Sequence, residues 1–146
     1  MSVLFSKQCE YALQAVMYLA LKPEREMTSI KVLTKKLQIP QHFLAKILQD
    51  LKYKGFLASR KGPAGGFGLA RSAKEITLLD IVEAIDEVSF TTNCVLGFPE
   101  CSGKNPCSVH EQWGEIREDF RASLENKSVF QMASEMKKPG YEGAAG

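Results

Sequence analysis

The chain has 146 residues, 45% of them hydrophobic, with 19 Lys and Arg against 17 Asp and Glu for a formal net charge of +2. That is enough apolar material for one packed domain, or one domain with an extension, and it excludes a disordered chain. No apolar run reaches membrane-spanning length and the N-terminus lacks a secretory leader pattern, so a cytoplasmic protein is expected, in which four cysteines favour metal or redox chemistry over structural disulfides.

Apolar residues recur at helical spacing over residues 7–21 (Tyr11, Ala12, Ala15, Val16, Tyr18, Leu19), and Lys22-Pro23 ends this first helix. Thr28 or Ser29 caps a short second helix reaching about Leu37. Ile39-Pro40 breaks the chain and supplies a proline for the start of the next helix. Residues Gln41 to Lys54 are strongly amphipathic, with Phe43, Leu44, Ile47, Leu48 and Leu51 as the expected buried stripe and Gly55 as the stop. The run FLASRKGPAGGFGLAR then offers two short strands, Leu57–Lys61 and Phe67–Ala70, around the turn GPAGG.

Thr77 opens another helix, with Asp80 as its capping-box partner and Ile81, Val82 and Ile85 on its apolar side. A cysteine-rich loop follows. Ser108 and Glu111 have the spacing of a second capping box, and the helix they start places Val109, Trp113, Ile116, Phe120 and Leu124 on one stripe. Ser128 with Gln131 begins a last short helix near Met136, and KPGYEGAAG reads as a frayed tail.

Charge is distributed unevenly. Residues 31–74 carry ten Lys or Arg and one acid, Asp50, whereas residues 75–126 carry eleven acids and three bases. The first block has the electrostatic character of a nucleic-acid surface, and the second would repel a phosphate backbone. Short helix, tight turn, longer helix and basic hairpin is the order of a winged helix-turn-helix. Its outward face would carry Gln41, His42, Ala45, Lys46 and Gln49, with Gln41 and His42 in the turn that meets base edges. Arg60 and Lys61 at the hairpin are long enough to reach phosphates or a groove, and the hairpin glycines, Gly65 and Gly66 among them, would allow close approach of backbone to DNA. A phosphate-binding loop is the rival reading of GPAGGFG; it lacks the Gly-Lys-Ser/Thr ending and joins two strand-like runs.

Cys94, Cys101, Cys107 and His110 follow the spacing C-x6-C-x5-C-x2-H, the ligand types selected by zinc and by iron–sulfur iron. Gly97, Pro99, Gly103 and Pro106 make the segment a loop able to fold around a bound group. Cys107 is expected just before a helix N-terminus, where a thiolate is favoured, and His110 in that helix's first turn can face the loop or solvent. Structural zinc and a thiol redox switch compete with an iron–sulfur cluster, although the spacing differs from the two close Cys pairs usual in zinc ribbons. Cys9 reads as a buried free cysteine and Glu10 as a solvated helix-start acid.

Four segments, EYALQAVMYLA, IPQHFLAKILQDLKYKGFL, RKGPAGGFGLAR and the three-cysteine loop leading into HEQW, together resemble the IscR/NsrR-like (Rrf-type) winged helix-turn-helix transcriptional regulators over nearly the whole chain. The resemblance implies a mostly α fold with a small β-hairpin wing and a long dimerisation helix. It also implies a non-enzymatic homodimer that binds a roughly palindromic double-stranded DNA operator. Residues 1–75 would form the winged helix-turn-helix, 76–136 the cluster-binding loop and dimerisation helices, and 137–146 a flexible tail. Cys94, Cys101 and Cys107 would hold an iron–sulfur cluster, with its two-iron or four-iron form left open by a first spacing one residue longer than the family's usual C-x5-C. Relatives differ in the fourth ligand: His110 matches one pattern and Glu10 of the partner chain another, with Cys9 a further donor and His110 favoured as the local imidazole. Val109, Trp113, Ile116, Phe120 and Leu124 would form the dimer contact. The cluster would make the protein a sensor of iron, redox state or nitric oxide.

Overall fold

The structure is a computed structural model that describes residues 4–86 and 94–137; the expected tail, apart from Lys137, lies outside the described residues. Among the described residues, six helices and one hairpin follow in order: α1 (Lys7–Ala20), α2 (Ile30–Leu37), α3 (Gln41–Tyr53), β1 (Leu57–Arg60), β2 (Gly66–Leu69), α4 (Leu78–Asp86), α5 (His110–Glu125) and α6 (Val129–Ser134).

α1 is the central element. Its residues Cys9, Ala12, Ala15, Val16, Met17, Tyr18, Leu19 and Ala20 are all buried, and it packs against α3, α4, α6 and β2. Small side chains at Ala12 and Ala15 let neighbouring elements approach closely. Leu33 from α2, Leu44, Leu48 and Leu51 from α3, and Ile81 and Val82 from α4 complete one continuous core. The helix starts follow the local chemistry. Ser6, Ser29 and Ser128 accept backbone N–H groups as N-caps, and Ser128 with Gln131 forms a full capping box. At α4, the Asp80 N–H donates to Thr77 Oγ1 at 3.1 Å, while the Thr77 N–H donates to Asp80 Oδ2 at 2.9 Å.

The hairpin is antiparallel, pairing Leu57 with Leu69 and Arg60 with Gly66, each strand shifted by one residue from its expected end. It does not stand alone. Thr28, just before α2, bridges to Phe67 through two backbone hydrogen bonds of 2.8 Å, so the wing is anchored to the segment between α1 and α2.

Two expectations are corrected. Phe43 is not in the buried stripe of α3: it is 53% exposed, because it lies at the edge of the Leu44, Ile47, Leu48 and Leu51 stripe, about 100° around the helix from Leu44. The Ser108–Glu111 capping box is absent. α5 begins at His110 with Val109 as its uncapped N-cap, because residues 107–110 form a turn closed by the His110 N–H on the Cys107 carbonyl at 3.2 Å.

Candidate cysteine site and nucleic-acid interface

The loop from Cys94 to His110 is organised by small local hydrogen bonds. Ser102 Oγ accepts the N–H groups of Lys104 and Asn105, both at 3.2 Å, and the Ser102 N–H donates to the Asn105 carbonyl at 3.3 Å. This tight turn folds the chain back so that the Cys107 N–H donates to Cys101 Sγ at 3.4 Å. The Cys94 and Cys107 sulfurs lie 3.5 Å apart, and His110 Nδ1 is 3.2 Å from Cys101 Sγ. All four cysteines are free thiols.

Among the described residues, Cys94, Cys101 and Cys107 are the group of metal-ligating side chains whose donor atoms all lie within 4.8 Å of one another. A tetrahedral ion with metal–sulfur bonds of about 2.3 Å holds its sulfurs roughly 3.8 Å apart. Three converging, half-buried thiols with a backbone N–H directed at one sulfur therefore fit a thiolate-ligated metal or cluster. His110 touches the edge of this triad through Cys101.

The three thiols are not equivalent. Burial opposes ionisation of Cys94, but the backbone N–H groups of Phe98 and Leu96, with Cys107 and Cys101 beside it, outweigh this and lower its pKa to about 7. The Val109 N–H favours a Cys107 thiolate, yet burial, the neighbouring Cys94 and Cys101 thiols and charge on Cys101 together raise its pKa. The thiolate expected at Cys107 thus falls first on Cys94. Burial, reinforced by the charges of Asp86 and Glu10 and a hydrogen bond to Asp86, pushes the Cys9 thiol up to about 12. In metal-free protein, alkylation by iodoacetamide should therefore start at Cys94, faster as pH rises through about 7, with Cys9 protected until unfolding. Peptide mass mapping reads this directly, and first labelling at Cys107 would contradict the assignment.

In the basic block, Gln41, His42, Lys46 and Gln49 are exposed on α3, and Arg60 and Lys61 are exposed where β1 enters the turn. Lys31, Lys35 and Lys36 of α2 are exposed as well. The one acid of this basic block, Asp50, is paired with Lys54 at 3.0 Å. The same Lys54 ammonium donates to the Ala84 carbonyl at 2.6 Å, fastening the end of α3 to the last turn of α4. Gly65 and Gly66 face inward. A Cβ on Gly65 would lie 2.0 Å from the Arg60 carbonyl oxygen, and one on Gly66 would lie 2.2 Å from that of Thr28. Hairpin closure and wing anchoring account for these two glycines.

Of the expected dimer stripe, Leu124 is buried within the chain and Phe120 lies against Phe5 with ring centroids 5.9 Å apart, while Ile116 is 59% exposed. Glu10 is ion-paired with Lys7 at 3.4 Å. Sequence reasoning missed Asp86, the last residue of α4, which accepts the Ser6 N–H at 2.7 Å and thereby joins the start of α1 to the end of α4. Its partner is 80 positions away, and no local pattern announces such a contact.

Comparison with known proteins agrees with this architecture. Residues 5–135 match the family model described as Rrf2, an iron-dependent transcriptional regulator. A helix-turn-helix-type transcriptional regulator of Aquifex aeolicus (strain VF5) is 37% identical over 129 residues, covering 87% of this chain and 89% of the relative. The helix-turn-helix-type transcriptional regulator IscR of Serratia proteamaculans (strain 568) is 27% identical over 124 residues, covering 85% of this chain and 75% of that protein. Among solved structures, CymR, the global cysteine regulator of B. subtilis, shares the fold with a TM-score of 0.77 at 22% identity, over 91% of this chain and 98% of that one. The chain belongs to the Rrf2 family and is a winged-helix, DNA-binding transcriptional regulator.

Proposed function

We propose that the protein is a cytoplasmic homodimeric regulator that holds an iron–sulfur cluster through Cys94, Cys101 and Cys107, with His110 as fourth ligand, and reads a roughly palindromic operator. The observation that carries the cluster is the convergence of three thiol sulfurs within 4.8 Å in a chain of this family. His110 is preferred because its Nδ1 already lies beside Cys101 Sγ. Cys9 is wholly enclosed in its own chain, so offering it to a partner would require opening α1. A bound cluster supplies a centre whose charge and integrity respond to iron supply, oxidants or nitric oxide. No helix among the described residues is long and apolar enough to cross a membrane.

The chain's own residues define the rest. Residues 1–75 form the DNA-binding unit, and 76–136 carry the cysteine loop and the dimer helix. The exposed Ile116 and the half-buried Val109 and Trp113 give α5 an apolar strip for its twin in a second copy. With two copies related by symmetry, paired α3 helices meet successive major grooves, and half-site spacing becomes a geometric requirement. α5 begins at the cysteine site and packs on α4, and Lys54 ties α4 to α3. A shift of the loop therefore has a physical route to the spacing of the recognition helices.

A second reading rests on the Cys94–Cys107 separation of 3.5 Å, close enough for a disulfide to form with little backbone movement, or for all three thiolates to share one zinc ion. Metal analysis separates these readings. For the DNA interface, Arg60→Ala should weaken operator binding several-fold and lower the magnitude of the salt slope by about one, leaving the visible spectrum unchanged. Unaltered affinity in a fluorescence anisotropy titration would remove Arg60 from the interface.

A further inference from the structure

Phe43 is the exposed large apolar side chain of α3's first turn, whereas Leu44 beside it is buried with Ile47, Leu48 and Leu51. Its ring lies 4.4 Å from that of His42, so the two form a continuous aromatic surface. A single exposed hydrophobic residue ordinarily needs no explanation. The surroundings of this one are specific: exposed Gln41, His42 and Lys46 on the same helix, in a block with ten bases and one acid, and that acid paired with Lys54. An apolar protein partner would have to cross this positive field, whereas duplex DNA is drawn to it.

The N-terminal turn of a recognition helix is the part that meets base edges in the major groove. The one apolar group displayed on those edges is the 5-methyl of thymine. We infer that Phe43 reads a thymine methyl in each half-site and is a specificity-determining residue of the operator complex. The inference rests on α3 being the recognition helix, as proposed above. Apolar contact between the ring and the methyl covers a surface that otherwise remains in water, and discrimination arises because cytosine offers no such group at its 5-position. Gln41, two residues away, carries an amide suited to adenine N7 and N6, so the same turn is equipped for A·T pairs.

The experiment uses the full chain, purified anaerobically, and a duplex selected by it from a random-sequence pool. Each thymine is replaced singly by deoxyuridine, which removes only the methyl group, and Kd is measured at fixed salt for wild type, Phe43→Ala and Phe43→Leu. Burying one methyl is worth about a fourfold change in affinity. Wild type should therefore lose about fourfold at one or two thymines per half-site, Phe43→Ala should show no further loss at those positions, and Phe43→Leu should fall between. Because the site is exposed, all three proteins should share one circular dichroism spectrum. If no thymine responds in wild type, or if Phe43→Ala responds as strongly as wild type, the assignment of Phe43 is overturned while DNA binding stands. If the protein selects no sequence from the pool, the recognition-helix reading fails and this inference falls with it.

Discussion

Replacing Cys101 by alanine is expected to strip the protein of iron and acid-labile sulfide and abolish its visible absorbance, without unfolding it. Cys101 is the hub of the site: its sulfur accepts the Cys107 N–H and lies against His110 Nδ1, and it shares the triad with Cys94 and Cys107. Its removal leaves two thiols and an imidazole where the proposed site has four donors. The side chain is only half-buried and outside the core, so stability should change by less than about 1 kcal/mol. Elemental analysis and a urea melt check the two halves separately. Full iron and sulfide in Cys101→Ala would show that the cluster is held elsewhere.

Gly66→Ala is expected to cost about 2–4 kcal/mol and to weaken DNA binding through the wing. Gly66 has φ near +144°, and an added Cβ would lie 2.2 Å from the Thr28 oxygen, 2.4 Å from its carbonyl carbon and 2.7 Å from the Ser29 nitrogen. All three are backbone atoms, so no rotamer change relieves the clash. Relief requires separating β2 from Thr28, which breaks the paired 2.8 Å hydrogen bonds between Thr28 and Phe67. Gly103→Ala is the control: nothing lies within 4 Å of its Cβ position, and its stability should match wild type. Urea denaturation of both variants tests the prediction, and a Gly66→Ala protein as stable as wild type would refute the close approach.

What the sequence revealed divides along the distance over which each feature is encoded. The order of helices and hairpin was legible because it is written locally: apolar spacing in α1 and α3, the Thr77–Asp80 and Ser128–Gln131 caps, and glycine at the turns. Phe43 misled because it lies four residues before Ile47, yet it falls at the edge of the stripe, about 100° around the helix from the buried Leu44, and stays exposed. Ser108 and Glu111 had capping-box spacing, but the turn from Cys107 to His110 uses that segment and delays the helix. The ligand types at the cysteine site could be read from the chain. Their mutual distances could not, because they depend on the Ser102 turn that brings Cys101 to Cys107. The contacts of Ser6 with Asp86, Thr28 with Phe67 and Lys54 with Ala84 join segments far apart in sequence, and only the fold exposes them.

The central claim is that the three cysteines hold an iron–sulfur cluster, and an absorbance spectrum with iron and sulfide analysis of wild-type protein purified anaerobically tests it most directly. The account predicts a coloured protein with visible charge-transfer bands and matched iron and acid-labile sulfide, both lost when Cys101 is replaced. A colourless, iron-free protein that still binds its operator would contradict the cluster and assign Cys94, Cys101 and Cys107 to a thiol switch or a zinc site.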